Sequence, residues 1–182
     1  MFDESHYSEL LPETNSRNMY TGPGTGSMVA AAGEWQHMIE EMSSGVVEPF
    51  GEILQRLQEQ CSGPSARRMH NAATQFLSWL RRLEKQLEVT HQQTAYLCTA
   101  YTNAHRAMVS PAAITDNRAD RDKLATTNQL GLNTPAIADL DAQYTQYGNR
   151  AVAVMRRYEL LVLSALAAMT PWVAPPPITS RV

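Results

Sequence analysis

Between Pro64 and Pro111 the chain has neither proline nor glycine. Its apolar and small residues there recur at spacings that alternate four and three: Met69, Ala73, Phe76, Leu80, Leu83, Leu87, Thr90, Thr94, Leu97, Tyr101, Ala104 and Met108. That alternation keeps one stripe on one side of a helix. A helix over residues 65–108 would be about 66 Å long at 1.5 Å per residue. A compact globule of 182 residues is only about 40 Å across. No sphere of this size encloses such a helix, so an elongated molecule is expected.

The remaining punctuation supports the same reading. Breakers fall at residues 22–26, 61–65, 110–112 and 130–135, and a final cluster, "TPWVAPPP", follows residue 169. The segments between them show no period-two alternation. Over Ser27–Gln60 the apolar stripe is Met28, Ala31, Trp35, Met38, Met42 and Val46, with Ile39 beside it. Pro49 is expected to kink or divide this helix, because it has no amide donor and crowds the preceding turn. A shorter helix is expected over Ala113–Asn128. A second very long one follows the stripe Ile137, Leu140, Tyr144, Tyr147, Ala151, Val154, Tyr158, Leu161 and Ala165. The fold class is therefore all-α: an elongated helical bundle of about five helices, two of them very long. Residues 1–8 are expected as a flexible N-terminus, 9–174 as the helical domain and 175–182 as a Pro-rich tail. Long thin bundles leave apolar stripes open, and Trp79 widens the one on the third helix. A second chain lying along the second and third helices is the expected cover.

Several function classes fall away. Apolar residues make up 43% of the chain and the net charge is −3, so neither disorder nor a basic nucleic-acid footprint is expected. The acidic start "MFDESHYSELLPE" is unlike a secretory signal peptide, and "LLVLSALAAM" is about half of a membrane span. Cys61 and Cys98 are too few for a disulfide framework and are read as free thiols.

"GPGTGSM", residues 22–28, looks like a phosphate loop. It lacks the Gly-Lys-Ser/Thr ending and the preceding strand that such a loop needs, and no Lys or Arg follows until Arg56. It is read instead as a turn in which Gly22 ends a short helix in a left-handed conformation and Thr25 or Ser27 caps the next. Two E-x-x-H motifs, Glu34–His37 and Glu88–His91, could serve a carboxylate-bridged metal site on a four-helix bundle, and this is the alternative reading. Helical geometry turns most of these side chains away from the apolar stripes. No catalytic residue, cofactor site or metal site is assigned.

Three stretches then carry a resemblance. "LPETNSRNMYTGPGTGSMVAAAGEW" resembles the opening of the mycobacterial PPE domain, with Leu11-Pro12-Glu13 standing where that family has Pro-Pro-Glu. "ATTNQLGLNTPAIADLDAQY" is similar to its second signature, around Asn128, Gly131, Asn133, Ile137 and Tyr144, and "TPWVAPPP" resembles its end. The resemblance spans about residues 9–178. It implies a non-enzymatic protein that pairs with a PE protein, a helical hairpin that completes the bundle. It further implies export of the pair by a type VII secretion system, after a cytosolic EspG-type chaperone grips the far tip. The protein would be cytoplasmic before export and secreted or at the cell surface afterwards, with no membrane span. The partner face would include Trp35, Met38, Ile39, Met42, Phe76, Trp79, Leu80, Leu83 and Leu87. The chaperone site would be Leu130, Gly131, Leu132 and Asn133. One departure stands out: where the family often has Trp-x-Gly at the turn between its second and third helices, this chain has Cys61-Ser62-Gly63.

Overall fold

The structure, a computed structural model, describes residues 6–177. In chain order the helices are α1 (His6–Glu9), α2 (Pro12–Tyr20), α3 (Gly26–Met42), α4 (Glu48–Gln60), α5 (Pro64–Ala107), α6 (Pro111–Thr126) and α7 (Thr134–Ala168). A π-helical turn, Ser43–Val47, joins α3 to α4, and a 3-10 turn, Gln129–Gly131, lies between α6 and α7. The described residues are thus all-helical. The two long helices have 44 and 35 residues, as the uninterrupted periodicity requires. Of the eight N-terminal residues expected to be flexible, the first five lie outside the described residues and the last three enter the single turn of α1. Of the expected tail, residues 178–182 also lie outside.

Helix boundaries follow local chemistry. Pro12, Pro64 and Pro111 each sit in the first turn of a helix that follows a break, where a missing amide costs no hydrogen bond. Ser110 caps α6 by accepting a bond from the Ala113 amide at 3.2 Å. Pro49 explains the π turn as well. It cannot donate to the Gly45 carbonyl, and its ring would crowd that carbonyl in a regular α-helix. The backbone widens just before it, and the Glu48 amide bonds to the Ser43 carbonyl five residues back. The interruption expected near Pro49 is therefore a π turn at residues 43–47.

The glycine loop differs in detail from the expectation. The left-handed residue is Gly24, at φ 72°, and not Gly22. Gly22 instead lies close to another side chain: a Cβ there would approach the Tyr101 hydroxyl to 3.3 Å, a tight contact.

The chain divides into two compact units. Among the described residues, one comprises residues 6–26 together with Leu97–Ser164, and the other Ser27–Tyr96 together with residues 165–177. The core of the first is Met19, Ala104, Met108 and Ala151, with Tyr101, Val154, Met155 and Tyr158 packed around it. Polar ties fix α2 against this core. Ser16, fully buried, donates to the Val109 carbonyl at 2.6 Å, and Tyr101 donates to the Met19 carbonyl at 3.1 Å. The core of the second unit is Val47, Leu54, Leu77 and Leu80, bordered by Met42, Phe50, Ala73, Phe76 and Trp79. No helix among the described residues is long and apolar enough to cross a membrane.

Candidate partner-binding surfaces

Helix α3 is the anomaly of the second unit. It carries Met28, Val29, Trp35, Met38, Ile39 and Met42 in 17 residues, yet none of its residues is buried. It meets α5 where His91 Nδ1 donates to the Ala32 carbonyl at 3.0 Å, and at its end Met42 packs beside Leu77 and Leu80. Met38 is 45% exposed, and Trp35, Ile39 and Met42 are half-buried.

Of the nine residues expected at a partner face, the five on α5 separate into two groups. Phe76, Trp79 and Leu83 are half-buried and open to one side. Leu80 and Leu87 are 4% and 2% exposed and offer no surface; Leu80 lies in the core against α4. A heptad stripe marks the apolar side of a helix but does not divide it between the chain's own core and another chain. Phe76 is the pivot, stacking on Trp79 at 5.4 Å between ring centres and meeting Phe50 of α4 edge-on at 5.6 Å.

A second surface lies at the α6–α7 connection. Leu130 is 98% exposed and Leu132 80%. Neither folds back onto its neighbours, because a polar clamp fixes the loop beneath them. The Asn133 amide donates to Asn128 Oδ1 at 2.8 Å, and its side chain donates to the Leu124 carbonyl at 3.0 Å and Thr127 Oγ1 at 3.1 Å. Asn128 in turn donates to Thr134 Oγ1 at 3.2 Å. Leu130 is held at φ 57°, a left-handed conformation that costs a Cβ-bearing residue about 1–2 kcal/mol. Gly131, at φ 79°, continues the turn without that cost. Of the four tip residues, Leu130 and Leu132 therefore face solvent, Gly131 supplies the turn and Asn133 is the clamp.

The Leu11-Pro12-Glu13 motif begins α2. Leu11 is extended before the proline, at φ −63° and ψ 151°, as a pre-proline residue prefers. Glu13 accepts a hydrogen bond from Tyr144 at 2.9 Å, which links the two stretches of the second and first signatures. At the α4–α5 turn, Cys61 and Ser62 are exposed and Gly63 sits at φ 99°. Beside them is a cleft of about 290 Å³ lined by Leu57, Ala66, Met69 and His70.

The metal reading finds no support in the geometry. Glu34 is exposed, His37 pairs with Glu41 at 3.5 Å on the solvent side, and Glu88 pairs with Lys85 at 2.6 Å. Among the described residues no group of three or more His, Cys, Asp or Glu is placed to hold a metal ion.

Sequence periodicity missed one feature of this face. Beyond α7 the chain leaves the helix and runs across α5. Gln86 Nε2 donates to Thr170 Oγ1 and to the Pro171 carbonyl, both at 3.0 Å, and the Trp79 indole donates to the Val173 carbonyl at 2.7 Å. Hydrogen bonding by a non-repetitive segment leaves no periodic trace; only the pair of Trp79 and a nearby Pro-rich end could have suggested it.

The chain is similar to known proteins over nearly its whole length. The family model described as "PPE family" matches residues 6–170. The chain is 42% identical over 173 residues to PPE family protein PPE41 of Mycobacterium tuberculosis, covering 95% of this chain and 89% of that one. It is 37% identical over 170 residues to PPE57 of the same species, covering 93% and 96%. It is 40% identical over 168 residues to PPE10 of Mycobacterium marinum; that match covers 92% of this chain but 34% of the relative. The chain thus spans most of the shorter relatives and about a third of the longer one.

Proposed function

This chain belongs to the PPE family, and from that premise we propose that it is a non-enzymatic binding module whose α3–α5 face pairs with a PE-family helical hairpin. The observation that carries the reading is α3 itself. A 17-residue helix with a Trp, three Met and an Ile, and with no buried residue, lacks the packing that stabilises a helix in a folded protein. A hairpin laid along Trp35, Met38, Ile39 and Met42, and against Phe76, Trp79 and Leu83, would supply it. Leu80 and Leu87 would support that face from below as core.

The exposed pair Leu130 and Leu132 is a second, separate binding point. Two leucines held in water by a hydrogen-bonded clamp, one of them in a strained conformation, fit an apolar pocket on another protein. The family suits this point to an EspG-type chaperone, which would engage it in the cytoplasm before type VII export of the pair to the cell surface or medium. The turn Cys61-Ser62-Gly63 lacks the family's Trp, so the export signal would come mainly from the partner.

The test is co-expression. The chain alone should be insoluble or aggregate, and co-expression with a PE-family hairpin should yield a one-to-one complex on gel filtration. A monomer that unfolds cooperatively alone and binds no PE-family hairpin would sink the proposal.

A further inference from the structure

The face proposed for the hairpin has two edges on α5, and only one of them is a helix. Helical positions advance by about 100° per residue. Measured from Trp79, the residues that meet α3 and α4 (Ala73, Phe76, Leu77, Leu80 and His91) centre on about 110°. Their partners are on hand: Leu77 and Leu80 pack in the core with Val47 and Leu54, and His91 bonds to Ala32. Trp79 and Gln86, which hold the segment after α7, lie within about 20° of each other on the opposite flank. Leu83 falls between the two groups, with Phe76 at the inner margin where it meets Phe50. The interval is roughly 120°, which at interaxial distances of about 8–10 Å accommodates one helix.

The segment forming the second edge is fixed. Carbonyls on both sides of Trp172 are hydrogen-bonded, that of Pro171 to Gln86 and that of Val173 to Trp79. Pro171 restricts the backbone further. Yet Trp172 is 52% exposed and Val173 61% exposed. Val173 also shares a small cleft, about 210 Å³, with Trp79, Leu83 and Gln86. A large apolar side chain on an anchored backbone loses little additional freedom on binding, and Trp is the residue most enriched at energetic centres of interfaces.

We infer that Thr170–Val173 is a docking strap: with α3 and α4 opposite, it walls a groove on α5 that takes one amphipathic helix of the hairpin partner, and Trp172 and Val173 contact that helix. The inference rests on the pairing proposed above and adds to it a contact surface outside the helices. The strap borders the groove and does not fill it, since its anchors lie to one side of Phe76 and Leu83.

The experiment uses the whole chain with the PE-family hairpin that co-purifies with it. In the Trp172→Ala/Val173→Ala double variant the affinity should fall by about tenfold or more, the scale of an aromatic interface anchor. The helix content of the co-purified complex should not change, because both side chains lie outside the helices and are exposed. Gln86→Ala, which frees the strap without touching those side chains, should also weaken binding. Amide exchange at Trp172 and Val173 should slow when the hairpin is bound. Affinity equal to wild type with unchanged exchange would overturn the strap while leaving the pairing intact. Tighter binding by the variants would also overturn it, showing the segment to be a competitor of the partner. Failure of any PE-family hairpin to bind the wild-type chain would remove the pairing, and the strap with it.

Discussion

Tyr144 on α7 donates its phenolic hydrogen to the Glu13 carboxylate on α2 at 2.9 Å, across 131 positions of sequence. The Arg118 guanidinium lies 4.1 Å over the same ring, and Arg118 bonds in turn to Asp141 at 3.1 Å. Beside this contact the Pro12 ring packs so closely on Gly148 that a Cβ there would come within 3.4 Å of it. The first helical motif and the second signature are thus two halves of one junction.

That junction should be visible in alkaline solution. Burial raises the pKa of Tyr144, and the hydrogen bond to Glu13 and its charge raise it further, against a smaller opposing effect of Arg118. Tyr7 and Tyr158 are raised too, in each case mainly by burial. A raised folded-state pKa means the folded chain keeps protons that the unfolded chain has released, so stability is full below the ordinary tyrosine value of 10.0 and falls as pH climbs past it. Urea midpoints of the paired protein should be flat from pH 7 to about 9 and decline above about 10. Tyr144→Phe should cost about 1 kcal/mol at neutral pH and make the alkaline decline shallower. An identical alkaline limb in the variant would exclude Tyr144 from it.

At the tip, strain and binding can be separated. Leu130→Gly removes the cost of a left-handed Cβ, offset in part by the greater freedom of glycine in the unfolded chain, and should stabilise by about 0.5–1 kcal/mol. Leu132→Arg, at an exposed site, should leave thermal stability unchanged. Both should weaken chaperone binding, and Leu132→Arg should abolish it in a pull-down that retains the PE partner. A lower melting temperature for Leu130→Gly would show that the conformation at 130 is not strained.

What the sequence made legible follows from what leaves a periodic or punctuating trace. The 44-residue α5 was readable because no Pro or Gly interrupts it and its apolar residues keep one stripe. The exposed leucines at 130 and 132 were readable because apolar residues in a polar turn have no core to enter. The π turn was only half readable: Pro49 announces a break, but nothing in the pattern says that the backbone widens at Ser43–Val47 instead of bending. The resemblance puts Leu80 and Leu87 on the partner face, yet both are buried, and the stripe could not correct this because it is symmetric between inner and outer neighbours. The anchoring of Thr170–Val173 depends on side chains of a distant helix and has no local signature.

The π turn carries its own prediction. It adds one residue to the helical path, so deleting Ser44 in a Pro49→Ala background, which removes the ring that crowds a regular helix, should restore regular α-helix and rotate α3 by about 100° relative to α4. Helix content by circular dichroism should be kept. The side of α3 bearing Trp35 and Met38 would then turn away from the groove on α5, and the deletion should not assemble with the hairpin partner. A complex of unchanged affinity would mean that the turn is not what sets the angle of that face.

Met38 and Leu80 test the division between surface and core. Both belong to apolar stripes, but Met38 is 45% exposed whereas Leu80 is 4% exposed in a cluster with Val47, Leu54 and Leu77. Leu80→Ala should therefore destabilise by about 2–5 kcal/mol, the usual cost of emptying a buried leucine site. Met38→Ala should shift unfolding by less than about 0.5 kcal/mol. Against the partner the order reverses. Met38→Ala removes a side chain that would be covered only in the complex and should weaken pairing several-fold, whereas Leu80→Ala, measured on its folded fraction, should pair as wild type. Denaturant titration of the chain refolded at a concentration low enough to prevent aggregation, and partner affinity measured on the same two proteins, decide the matter. Equal losses in both assays for both variants would mean that the α3–α5 face and the core beneath it form a single layer, with no surface reserved for another chain.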